Sequence, residues 1–124
     1  INPVDVSVWY DAFVNSTYQI TSAYQERSID PDNFYSLVIK TGGPVNTVKY
    51  SNPEVDALID EAAALVDMDA RKEIYRKIRA IVTEDAPLVF AHYETVNYLM
   101  NKNVLGSAIT PTLSLHLENV GFAE

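Results

Sequence analysis

The chain has 124 residues, 48% hydrophobic and 21% charged, which is the balance of one ordinary globular domain and not of a disordered tail. Nine Lys and Arg stand against seventeen Asp and Glu, a formal charge of −8, and that field repels phosphate backbones and anionic lipid, so nucleic acid is not expected as a partner. The absence of cysteine excludes disulfides, thiolate metal sites and a cysteine nucleophile, and no apolar run approaches the roughly 18 residues needed to cross a bilayer.

From the start, Val6, Trp9, Tyr10, Phe13 and Val14 fall at helical spacing behind Asp5, an N-cap, so a short helix is expected within Pro3 to Asn15. Tyr18 to Tyr24 is rich in strand formers and reads as a strand. Asp30-Pro31-Asp32-Asn33 is a strong turn signal, and Phe34 to Ile39 is a short apolar piece, helix or strand. Ser51-Asn52-Pro53-Glu54 supplies a cap, a proline at the first helical position and an acid where the helix dipole favours it. Val55, Leu58, Ile59, Ala62, Leu65 and Val66 then form an apolar stripe. A second helix begins near Asp69, with Ile74, Tyr75, Ile78, Ile81 and Val82 on one face and Arg71, Lys72, Arg76, Lys77 and Arg79 mainly outside it, a pattern of solvation and pairing with nearby acids. Leu88 to Met100 reads as one extended strand, and the last twenty residues contain no convincing helix. Strands alternating with helices favour an α/β class with parallel pairing, but the strands are few for a covered sheet. The chain opens on Ile1 without a signal-peptide pattern, so an upstream segment or a longer parent protein is expected.

Catalytic signatures are missing. Gly42-Gly43-Pro44 lacks the spacing and the following Lys-Ser or Lys-Thr of a phosphate loop, and no serine sits in a Gly-x-Ser-x-Gly elbow. His92 and His116 are far apart and lack metal-ligand spacing, and the paired acids Asp60-Glu61, Asp67/Asp69 and Glu84-Asp85 are explained by capping and solvation. No cofactor, metal or catalytic residue is assigned, and an enzyme is the weaker reading. One stretch stands apart: Tyr24-Gln25-Glu26-Arg27 presents an aromatic, an amide, an acid and a guanidinium at the end of an expected strand, where ligands of open α/β sheets bind.

Asp30-Pro31-Asp32-Asn33-Phe34 followed by Tyr50-Ser51-Asn52-Pro53-Glu54-Val55-Asp56-Ala57-Leu58-Ile59 resembles the family 5 extracellular solute-binding proteins, the dipeptide-, oligopeptide- and nickel-type receptors of ABC importers. Asp69 to Tyr75, Glu84-Asp85-Ala86-Pro87 and Leu117-Glu118-Asn119-Val120 continue the resemblance in the family's order over nearly the whole chain. The resemblance implies part of the second lobe of a two-lobed periplasmic-binding-protein (type II) fold. Residues 1–100 would be the C-terminal part of that lobe with a hinge strand through His92 and Tyr93, and residues 101–124 a tail returning toward the first lobe. It implies a non-enzymatic receptor, periplasmic or extracellular, held at the membrane by the importer or an upstream lipid anchor. Its partners would be a small-molecule or peptide solute, the ABC permease subunits and the remaining part of the same receptor. In a lone piece, faces such as Ile74/Ile78/Ile81 would lack part of their covering. Tyr24, Gln25, Glu26 and Arg27 are the implied ligand residues. Peptide-binding relatives carry an Asp for the peptide's α-ammonium where this chain has Arg27, a sign change that favours an acidic or polyhydroxylated solute unless Glu26 takes that role. The alternative is a structural or interaction fragment that functions only when paired with the missing part.

Overall fold

A computed structural model of the chain describes residues 3–23, 28–91, 95–106, 108–110 and 114–123. They fall into two compact units, one comprising Ile1–Tyr24 with Asp30–Val89 and the other Gln25–Ile29 with Phe90–Glu124.

The first unit is helical. Helix α1 spans Val6–Val14, with the Asp5 side chain accepting from the Ser7 amide. It stops in a paired turn in which Ser16 N–H donates to Phe13 and Thr17 N–H to Ala12, with Ser16 at φ 55° supplying the left-handed residue that such a stop requires. Helix α2 spans Pro31–Phe34 behind Asp30, whose side chain accepts from the Asp32 amide. Thus the expected turn is the first turn of a helix. The apolar piece after it is a π-helix, Tyr35–Ile39, and the Lys40 amide reaches back to the Tyr35 carbonyl. The chain then folds back over the π-helix, because Val45 N–H donates to the Leu37 carbonyl. Gly43 is required there, since a Cβ would lie 2.6 Å from that carbonyl oxygen.

Helix α3, Pro53–Ala64, starts from Asn52 with proline in its first turn. Helix α4, Met68–Asp85, starts from Asp67 and ends at Ala86 in the left-handed region. Three linking residues bring α4 back against α3. Val55, Ile59 and Ala62 of α3, Ile74, Ile78 and Val82 of α4, and Val38 and Ile39 of the π-helix form the core, with Phe34, Tyr35, Val45, Tyr50 and Leu88 packed around it. Of the face expected to lack part of its covering, Ile74 and Ile78 are buried and Ile81 is partly buried, because α3 and the π-helix pack onto it.

Among the described residues the second unit has four strands of two residues each. β1 (Val104–Leu105) pairs with β4 (Gly121–Phe122), and β2 (Ala108–Ile109) with β3 (Leu115–His116). Both pairings are antiparallel, which corrects the expectation of parallel pairing. β2 and β3 are joined by five residues, long enough for a hairpin and too short for a crossover. Two expected strands are also corrected. Residues 18–23, and 88–91 with 95–100, lie in no strand. Strand propensity is realised only where a neighbouring edge offers a ladder, and the described residues of the first unit offer none. In this measure the α/β expectation reduces to a mixed chain that is mainly helical with little sheet.

Candidate ligand-binding site

The ligand residues expected from sequence, Tyr24, Gln25, Glu26 and Arg27, and the hinge residues His92 and Tyr93, lie outside the described residues. What the structure does give is the frame on either side of Tyr24–Arg27, and both flanks are tied to the helical unit.

On the upstream side the Trp9 indole N–H donates to Thr21 Oγ1 at 2.9 Å. Trp9 stacks on Phe13 and Phe13 on Tyr18, with ring centroids 5.2 and 6.1 Å apart. The Tyr18 hydroxyl shares a 3.0 Å hydrogen bond with Thr47. The segment is thereby held against α1 and the 46–49 turn. Ser16, Tyr18, Gln19, Thr47, Val48 and Lys49 line a hollow of about 260 Å³ there. The turn beneath it is set by Asn46, which donates to the Lys40 and Tyr50 carbonyls and accepts from the Tyr50 amide. That clamp holds Lys49 in the left-handed region, at φ 57°.

On the downstream side Arg71 is a hub. Its guanidinium meets both oxygens of Asp30 at 2.8 Å each, a fork-on-fork geometry that fixes orientation as well as charge. Its Nε donates to the Ala62 carbonyl at 3.2 Å, a second donor beside the Leu65 amide at the C-terminus of α3, where a cation also suits the helix dipole. Nη2 donates to the Tyr75 hydroxyl, and the cation sits 5.3 Å from the Tyr75 ring centre. Tyr75 stacks on Tyr35 at 5.3 Å and donates to Asp32. One side chain thus joins the start of α2, the end of α3 and the body of α4. The Arg71 guanidinium, then the Asp32 amide, hold the Asp30 carboxyl below its ordinary value, and burial followed by the Asp32 charge raises the Tyr75 hydroxyl.

A second clamp closes the far end of the core. Tyr50 donates to Asp85 and so does the Asn52 amide at 2.9 Å, which connects the start of α3 to the end of α4. These two donors hold the Asp85 carboxyl down, while burial, then the bond to Asp85, pushes the Tyr50 hydroxyl up to about 12. The described residues contain no grouping of three metal-ligating side chains and no helix long and apolar enough to cross a membrane.

Periodicity assigned Arg71 to the solvated basic face, yet its side chain is 16% exposed. Its partner lies 41 residues upstream, a distance at which no local pattern speaks. Asn46 went unremarked in sequence, and a turn-forming amide between Pro44 and Tyr50 was the available signal.

No family model matches the chain. Among curated proteins it is 35% identical over 81 residues to a probable D,D-dipeptide-binding periplasmic protein of Escherichia coli, covering 65% of this chain and 16% of that protein. It is 36% identical over 62 residues to heme-binding protein A of Haemophilus influenzae, covering 48% of this chain and 11% of that one. It is 29% identical over 94 residues to the dipeptide-binding protein of Escherichia coli, covering 73% and 18%. The chain therefore spans less than a fifth of the length of each of these relatives.

Proposed function

Starting from a chain that is a relative of the family 5 extracellular solute-binding proteins, we propose that it forms part of the solute-binding component of an ABC importer, in the second lobe of a two-lobed receptor. The observation that carries this reading is the shared similarity to proteins named for binding dipeptides, periplasmic in one case. The receptor works outside the cytoplasm, binds a peptide-like or acidic solute without chemical change and passes it to the permease subunits.

The tethered flanks support placing the ligand contacts on Tyr24–Arg27. Thr21 on one side and Asp30 on the other are each fixed to the helical unit, so the positions that flank residues 24–27 are preorganised, which lowers the entropy lost when a ligand is gripped. Tyr24 supplies a stacking face, Gln25 and Glu26 hydrogen bonds, and Arg27 a bidentate anchor for a carboxylate. Lobe closure turns about the segment through His92 and Tyr93.

Calorimetric titration tests this on the longest natural receptor that carries the segment, with dicarboxylates, sugar acids and dipeptides as ligands. Arg27→Ala is expected to weaken acidic solutes by about tenfold or more while sparing neutral ones. Undiminished affinity for every acidic solute removes Arg27 as the anchor. A receptor that binds none of the three classes removes the solute-binding reading itself.

α1 supports the pairing of this segment with the rest of a receptor: it has no buried residue, and Val6, Val8, Tyr10 and Val14 are exposed on it. In the full protein that surface is covered by the remaining part of the chain.

A further inference from the structure

We propose that the basic hollow on α4 is a docking site for an extended acidic peptide segment. This proposal is independent of the solute site and of the loop that frames it.

Five of the nine cations in the chain, Arg71, Lys72, Arg76, Lys77 and Arg79, lie within nine residues of α4, where Glu73 is the single acid. A chain of net charge −8 thus carries a strip of opposite sign. Arg71 is closed off by Asp30, but Lys72, Arg76 and Arg79 converge with Pro31, Tyr35 and Tyr75 on one hollow of about 420 Å³. Lys72 and Arg79 form no ion pair among the described residues, while Arg76 pairs with Glu73 at the exposed surface. Such a pair is weak and exchangeable.

The geometry selects the occupant. Positions 72, 76 and 79 follow the four-then-three spacing of one helix face, so the cations form a row about 10 Å long. A single carboxylate or phosphate cannot meet both ends of such a row. An extended peptide places alternate side chains on one face about 7 Å apart, so two acidic residues there reach opposite ends of the row together. The other wall is formed by Pro31 and the stacked Tyr35–Tyr75 pair, and it receives the peptide's intervening apolar or aromatic side chains. Lys72, Arg76 and Arg79 are exposed and outside the core, so replacing them leaves the fold intact.

Fluorescence anisotropy of the 124-residue chain with a short labelled peptide bearing glutamate at alternate positions tests the proposal at low ionic strength. Two double variants carry the same change in net charge, K72E/R79E at the hollow and K77E/K102E away from it. The expected result is binding by the parent chain, about tenfold weaker in K72E/R79E and within about twofold of the parent in K77E/K102E. Lys72→Ala with Arg79→Ala gives a smaller loss in the same direction. The proposal is overturned if the parent chain does not bind the peptide, if the two charge-matched variants lose affinity equally, or if inorganic phosphate displaces the peptide at equal concentration, the mark of a single-anion site.

Discussion

Helices α1 and α4 are built from similar local instructions and end in opposite circumstances. Each begins behind an aspartate whose side chain accepts from the first turn, and each stops at a residue with positive φ or immediately before one. α4 buries Ile74, Ile78 and Val82, while α1 buries nothing and leaves Val6 74% exposed. Caps and periodicity are sufficient to specify a helix, but burial needs an opposing face. α4 meets one because its short link to α3 returns it onto Val55, Ile59 and Ala62. Among the described residues α1 meets a ladder of rings, Trp9 on Phe13 on Tyr18, and the Trp9–Thr21 hydrogen bond, which hold the following segment without closing a core.

The sharpest way to break this comparison is Ile78→Ala. Ile78 is fully buried, and its truncation is expected to lower the unfolding free energy by about 2–5 kcal/mol, read from urea denaturation followed by circular dichroism. A loss below about 1 kcal/mol would mean that the helical core does not hold the unit together.

The two clamps around that core set its pH limits. The Asp30 carboxyl is held below its ordinary 3.8 by Arg71, so its contribution is present above that pH and is lost as the pH falls through the lowered value. The Tyr50 hydroxyl is raised from 10.0 to about 12, so its contribution is present below pH 10 and is lost as the pH rises toward 12. Urea midpoints measured across pH should therefore fall at both ends, with Asp30→Asn flattening the acid limb alone and Tyr50→Phe removing the alkaline limb together with the part of the acid limb that Asp85 contributes. A parent profile without either limb would show that the clamps are dispensable.

The smallest effect belongs to α1. Val8 is 56% exposed, and Val8→Ala is expected to change stability by no more than about 0.5 kcal/mol in the 124-residue chain. The proposed cover of that face in a longer receptor predicts a larger cost for the same substitution there. Equal small losses in both would leave α1 uncovered in the receptor too.

Much of the helical unit was legible from neighbouring residues. Asp5, Asn52-Pro53 and the stripe Ile74/Ile78/Val82 announce their helices, because capping and amphipathicity act within one or two turns. The π-helical Tyr35–Ile39 was not separable from a strand, since six apolar residues carry too few periods to choose. The strands expected at 18–24 and 88–100 failed among their described residues for a different reason: a strand depends on an edge elsewhere in the chain. At the site, the order of polar groups in Tyr24–Arg27 was readable, whereas the anchors that frame it were not. Trp9 reaches Thr21 across twelve residues and Arg71 reaches Asp30 across forty-one.

By itself the sequence determined the starts of α1, α3 and α4, the buried stripe of α4, the concentration of cations between Arg71 and Arg79 and the kinship with solute-binding proteins, since each is written in residues close together or in their order. Tertiary structure alone decided that Arg71 is a half-buried hub and not part of the solvated face, that Lys72, Arg76 and Arg79 share a hollow with Tyr35 and Tyr75, and that α1 has no buried residue. Those outcomes rest on contacts between segments distant along the chain, and the energy of such a contact belongs to the pair of surfaces that meet, not to either stretch of sequence.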